Sequence, residues 1–398
     1  MNRLALAAAL LATAAPLAAE THRVEPAQGA AALQEALILA QPGDVIELGE
    51  GRFTLTDGLS LDVDGVTLRG AGMDKSILDF TGQKGAGEGL LVTSDNVTLR
   101  GFAIENPKGD GIKSKGADNI IYDSLRVEWT GGPKTTNGAY GIYPVESTGV
   151  LVQRSKVVGA SDAGIYVGQS RDITVRGNLV EYNVAGIEIE NSRDALVENN
   201  IATHNTGGLL VFDLPGLPVM GGGNVILRAN VVKDNDTPNF APPGNIVASV
   251  RRGTGILVMA NDGVLIENNA LEGNATAHVM VIAYTQPFDD ARYNPYARNV
   301  IVGPNAFGRG GDDPQLDGKE MLLAAFGGAL PPVLWDGIAQ DEDSALRIAA
   351  GVTGWSLNLK TPGQPLSEAQ PGPLTLTPLE NWAFPEVGAP AELEARLK

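Results

Sequence analysis

The sequence predicts an all-β fold, a single-stranded right-handed parallel β-helix, and two recurring patterns carry the prediction. The first is a pair of asparagines five residues apart, found four times: Asn178 with Asn183, Asn200 with Asn205, Asn230 with Asn235, and Asn269 with Asn274. The first two copies start 22 residues apart, and a degenerate form runs back through Ser155, Ser124 and Gly101 at steps of 23, 31 and 23. A period of this length, with short apolar runs between turn residues, marks a solenoid in which each repeat is one coil. An asparagine at one position of every coil can bond its amide to those above and below, pairing turn backbone that would otherwise be buried and unsatisfied. These asparagines are expected to be structural rather than chemical.

The second pattern is a glycine followed by alternating apolar and variable residues, as in Gly164-Ile165-Tyr166-Val167, Gly186-Ile187-Glu188-Ile189, Gly208-Leu209-Leu210-Val211 and Gly255-Ile256-Leu257-Val258. Alternation implies a strand with one face buried. A second strand follows in each coil (Ile173-Thr174-Val175-Arg176, Ala195-Leu196-Val197-Glu198), and a short third one follows the first asparagine of each pair. Three strands per coil, stacked in parallel, enclose a dry core of Ile, Val and Leu. No helical stripe competes, because β-branched residues and glycine dominate.

Taken in order, residues 1–19 carry Arg3, an apolar Leu/Ala run and Leu17-Ala18-Ala19, the pattern of a secretory signal peptide cleaved after Ala19. A periplasmic or secreted location follows as an expectation, with no membrane span, since no apolar stretch reaches the required length. Residues 20–43 hold an amphipathic helix, expected over 27–41, that would cap the open N-terminal end of the core. The parallel β-helix is expected from 44 to 310. Beyond it, residues 311–398 lose the repeat and are rich in proline, with apolar anchors such as Leu322, Phe326, Trp335, Trp355, Trp382 and Phe384 that suit a C-terminal cap or tail.

The formal charge of −18 argues against nucleic acid and anionic membranes as partners. It counts, less strongly, against a polyanionic glycan. There is no cysteine, so no disulfide can form.

The insertions between coils are not scattered. Segments 71–88, 130–140 and 236–253 enter just before a glycine strand, and Asp213 to Gly223 leaves just after one. That face is expected to be a walled groove, since solenoids carry loops on the functional face. Outward positions stack at about 4.8 Å per coil. One column is Lys113, Tyr143, Tyr166, Glu188, Leu210, Leu257; the next is Lys115, Val145, Gly168, Glu190, Phe212, Met259. Exposed strands of any solenoid carry Lys, Tyr and Glu, so each residue alone says little; the walled column as a group says more. Glu188 and Glu190 lie on one face with side-chain bases roughly 6 to 7 Å apart, and with Asp213 from the next coil they would form a carboxylate cluster needing a cation, a basic side chain or a raised pKa.

The segments Asp162-Ala163-Gly164-Ile165-Tyr166-Val167-Gly168-Gln169-Ser170, Ala185-Gly186-Ile187-Glu188-Ile189-Glu190-Asn191-Ser192 and Gly208-Leu209-Leu210-Val211-Phe212-Asp213-Leu214-Pro215-Gly216 resemble the right-handed parallel β-helix repeat superfamily. That superfamily includes pectate lyases, polygalacturonases, alginate-modifying epimerases and lyases, and the periplasmic β-helix protein linked to copper-site maturation of nitrous oxide reductase. More narrowly they look like an exported bacterial family of parallel β-helix repeat proteins. The resemblance spans about residues 90 to 280 and implies the fold, not an activity. The polygalacturonase Gly-His-Gly segment is missing, since His22, His204 and His278 are not flanked by two glycines, and so is the epimerase signature Asp-Pro-His-Asp.

Two function classes follow. In the first, the protein binds a polysaccharide and modifies it as a lyase or epimerase. Lys113 or Tyr166 would then be the base, Tyr143 a proton donor, Glu188 part of the catalytic line and Arg251 or Arg252 the charge neutraliser, with Lys115, Glu190, Phe212, Asp213 and Arg252 binding substrate. In the second, it is a non-catalytic binding or scaffold module for an exported protein or a glycan, suggested by the apolar run Leu210, Phe212, Leu257 and Met259. No cofactor is fixed by the sequence. Calcium is the one cation its oxygen ligands (Asp110, Asp162, Glu188, Glu190) could take, and three scattered histidines argue against zinc or copper.

Overall fold

Each coil turns at corners built from a residue in the left-handed region followed by a ladder asparagine. Arg154, Gly177, Asn199, Ala229 and Asn268 (φ 52° to 62°) precede Ser155, Asn178, Asn200, Asn230 and Asn269. Tyr182, His204, Asp234 and Gly273 (φ 49° to 67°) likewise precede Asn183, Asn205, Asn235 and Asn274. The left-handed residue swings the chain inward, and the next side chain then lies along the coil stack. Asn178 Nδ2 donates to Asn200 Oδ1 at 2.9 Å, Asn200 to Asn230 at 3.0 Å, Asn230 to Asn269 at 3.0 Å and Asn269 to Asn305 at 3.0 Å. The second ladder runs Asn183, Asn205, Asn235, Asn274 at 3.0, 3.2 and 2.9 Å. Both ladders also cap main-chain groups, as where Ser155 N donates to Asn178 Oδ1 and Asn178 Nδ2 to Val152 O. The structural role expected for these asparagines is the one they have, and Asn305 extends the first ladder by one coil beyond the repeat legible in sequence.

The computed structural model of the protein describes residues 19–85, 87–341, 345–374 and 384–398. The expected leader lies outside these residues except for Ala19, as does Trp382. Three sheets run the length of the described stack. The glycine-strand sheet has twelve strands, from Leu59–Leu61 to Val333–Trp335, Gly354–Ser356 and an antiparallel Gly372–Pro373; the second has twelve, from Thr21–Val24 to Leu346–Ile348; the third has ten, from Gly51–Thr54 to Ala306–Phe307. All other pairings are parallel, coil to coil. Two sheets thus continue past residue 310, while the third stops at Phe307.

Inward positions stack like upon like. Ile142, Ile165, Ile187, Leu209, Ile256, Val279 and Val333 are register partners and all buried. A stack of this density loses on the order of 3 kcal/mol for one Ile cut to Ala. At the N-terminal end helix Gly29–Leu39 lays Leu33 and Leu37 on the core and leaves Ile38 and Leu39 exposed. Beside it Thr21–Val24 pairs with Val45–Leu48, a strand the sequence pattern did not reveal.

Candidate functional site

The outward columns stand in the register expected. Lys113 pairs with Tyr143, Tyr166 with Glu188, Glu188 with Leu210 and Leu210 with Leu257; Lys115 pairs with Val145, Gly168 with Glu190, Glu190 with Phe212 and Phe212 with Met259. What differs is their exposure. Glu188 is 1% exposed, Glu190 6%, Leu210 0% and Phe212 1%. Instead of an open groove, the middle and lower parts of this face are roofed.

The roof comes from the chain's own insertions. Phe240, Ala241, Ile246, Val247 and Val250 from segment 236–253, with Tyr284 and Tyr293 from the loop after strand Ala277–Ile282, form one apolar cluster with Tyr166, Leu210, Phe212, Leu257 and Met259. The physical reason is that outward Leu, Phe and Met gain by leaving water, and the insertion supplies matching apolar residues rather than only a polar wall. Room for it is made by Ala163, Ala185 and Gly207, register partners at the start of successive glycine strands. A Cβ on Gly207 would come within 2.9 Å of Val250. Asn239 Nδ2 holds the roof in shape through Val247 O (2.8 Å) and Val250 O (2.9 Å).

Under the roof edge lies a row of acids. Glu188 and Glu190 lie on the same face of one strand and act on each other through their charges, and Tyr166 Oη donates to Glu190 Oε1 at 2.5 Å. Glu188 Oε2 is buried and has no hydrogen-bond partner among the described residues. Asp162 accepts from Asn245 Nδ2 of the roof at 3.0 Å. Burial, then the neighbouring carboxylates, push Glu188 well above the usual range. Burial raises Glu190 as well, and it lifts Asp162 to about 7. Among the described residues no basic side chain pairs with the row, and its burial beside like charges favours the protonated form of each acid.

Asp213 belongs elsewhere. Its Oδ1 accepts from Gly221 N at 3.0 Å, and Tyr293 Oη donates to its main-chain oxygen at 2.5 Å, so it ties down the loop that follows it. It acts on Glu190 only through its charge. Among the described residues no three His, Asp or Glu side chains converge to hold a metal ion.

The face opens at its upper end. Tyr140, Tyr143, Lys113, Asp110 and Glu88 are all half-buried. The Tyr140 and Tyr143 ring centroids are 4.5 Å apart, each packs on Tyr166 at 4.5 and 5.0 Å, and Lys113 Nζ sits 5.0 Å over the Tyr143 ring. Lys113 also lies 3.3 Å from Glu88 and 3.9 Å from Asp110, and Lys115 lies 3.6 Å from Glu146. Burial raises Asp110 to about 6 and Tyr143 to about 12. The two arginines stand apart from the acid row in their contacts: Arg252 Nη2 pairs with Asp313 at 2.8 Å, and Arg251 lies exposed on the rim of a cavity further down. Tyr140 and Asn245 join the site without belonging to either outward column. Tyr140 is the aromatic in a register otherwise held by Ala163, Ala185, Gly207 and Thr254, and that contrast was legible. Asn245 had no comparable signal.

Residues 64–214 match the family model described as "Right handed beta helix region". The chain is a right-handed parallel β-helix protein. No curated protein matches its sequence. Among solved structures, the A-module of mannuronan C-5 epimerase AlgE4 from Azotobacter vinelandii superposes with a TM-score of 0.56 at 16% identity, covering 80% of this chain and 89% of that one. DFA-IIIase from Arthrobacter chlorophenolicus A6, without its lid and in complex with GF2, gives 0.51 at 13% identity over 82% and 99%. At such identities the likeness is one of fold. Among the described residues no helix is long and apolar enough to cross a membrane.

Proposed function

We propose that this is an exported carbohydrate-binding β-helix that seats a polysaccharide across the upper, open end of the glycine-strand face and performs acid–base chemistry on it there, of the lyase or epimerase kind. The observation that carries the reading is the lip itself: two half-buried tyrosine rings beside Lys113 and Asp110, backed by the buried acid row Asp162, Glu188 and Glu190. Tyrosine faces stack on sugar rings. Lys113 supplies a cation for a carboxylate or hydroxyl of the glycan. Asp110, with a pKa near 6, is suited to give or take a proton close to neutrality. Tyr166, buried and bonded to Glu190, orients that glutamate instead of acting as a base. The two enzymes similar in fold, one acting on mannuronan and one holding GF2, accord with a glycan partner. The scaffold alternative is less favoured, since much of the apolar run packs against the chain's own insertions.

The test is binding and turnover on alginate, pectin, glycosaminoglycans and a neutral fructan, followed by affinity electrophoresis, by absorbance of unsaturated ends and by proton NMR of the products. Tyr143→Ala is expected to weaken retention about tenfold, the equivalent of roughly 1.4 kcal/mol. Absence of retention and of product across the whole panel would overturn the proposal.

A further inference from the structure

The roof does not fill the lower end of this face. A cavity of about 350 Å³ remains between the glycine strands, the segment Ile246 to Arg251 and the C-terminal part of the chain. Its walls are Phe212, Leu257, Met259, Met280 and Ile282. The space is lined mainly by apolar side chains and open at its mouth, and its volume falls in the range of small-molecule sites.

A cation at one end and a buried acid at the other give the space a direction. Arg251 stands at the rim, exposed, with no ion-pair partner among the described residues, whereas its neighbour Arg252 is tied to Asp313. Asp336 lies at the inner side, buried, with both oxygens occupied by main-chain donors: Ala283 N at 2.7 Å and Ile338 N at 2.9 Å. The inner end thus offers an anionic head group an acid and no free donor, the mouth offers it the Arg251 guanidinium, and an apolar body gains by entering. We propose that this cavity binds a small amphipathic carboxylate, with its apolar body against Leu257, Met259 and Met280 and its carboxylate on Arg251. The site is separate from the tyrosine lip and does not depend on what binds there.

Isothermal titration of the full mature chain with a series of straight-chain carboxylates up to decanoate, and with decanol as the uncharged counterpart, tests the proposal. Saturable binding of decanoate is expected, tightening about fourfold per added methylene until the cavity is full, from about 0.8 kcal/mol per buried methylene. Arg251→Gln, a change on the exposed rim, should weaken decanoate about tenfold and leave decanol unaffected. Met280→Phe, checked by circular dichroism to be folded, should lower affinity for both ligands. No saturable decanoate binding, an equal effect of Arg251→Gln on acid and alcohol, or undiminished binding to a folded Met280→Phe protein would each overturn it.

Discussion

At the residue scale, the buried acids set an unusual pH dependence. Asp162 and Asp336 are raised to about 7 and Asp110 to about 6, all chiefly by burial, against 3.8 in an unstructured chain. Between roughly pH 4 and 7 the folded state holds protons that the unfolded state has released, so stability falls as pH rises through that window and levels off above it. Asp44, held at about 2 by main-chain donors from Gln41 and Glu20, works in the opposite sense and withdraws its support only as pH drops below 4. Thermal melts should place maximum stability near pH 4 to 5. Asp162→Asn keeps an amide oxygen for Asn245 and removes the titration. It is expected to raise stability at pH 8 by about 2 kcal/mol and to flatten the slope. An unchanged slope in the variant would show that Asp162 is not the group responsible. This row was only half legible. Alternation fixed which side chains point outward, including Glu188 and Glu190, because a strand has a strict period of two. Whether they meet water depended on an insertion whose fold the alternation does not encode.

At the element scale, the corner does more than the strand. Asn205 Nδ2 donates to Val180 O, Thr203 O and Asn235 Oδ1, while its Oδ1 accepts from Asn183 N and Nδ2. Asn205→Ala strands several buried groups at once, each costing about 1 to 3 kcal/mol. A loss on the order of 4 kcal/mol is expected in denaturant titration. Asn224→Ala, which breaks one half-buried bond to Asp194, should cost well under half of that. Comparable losses for both would refute the ladder's primacy. The ladders were legible because the same residue recurs at a fixed phase. The strand Thr21–Val24 was not, being too short to show a period, and its place is set by pairing with Val45–Leu48.

At the scale of the whole molecule, a solenoid is safe only if its ends are closed. At the N-terminal end strand Thr21–Val24 pairs with Val45–Leu48 and helix Gly29–Leu39 lays Leu33 and Leu37 on the apolar core, so residues 20–43 are expected to act as the cap. Deleting that segment should convert a single species into self-associating material on size-exclusion chromatography with light scattering. A truncated chain that stays monomeric with an unchanged melting temperature would mean the cap is dispensable.

The spacing of the ladder has a consequence for how such a molecule can change. Successive asparagines of the first ladder are 22, 30, 39 and 36 residues apart, yet every amide bond between them measures 2.9 to 3.0 Å. The core counts coils, not residues. A chain may wander eight or seventeen residues beyond the minimum between two coils and return to the same phase, and lengthening a loop is cheap, about 0.6 kcal/mol per doubling. The scaffold therefore behaves as a rack of sockets into which segments such as 236–253 plug, and the face they build can be exchanged, shortened or replaced while the frame that holds them keeps its dimensions.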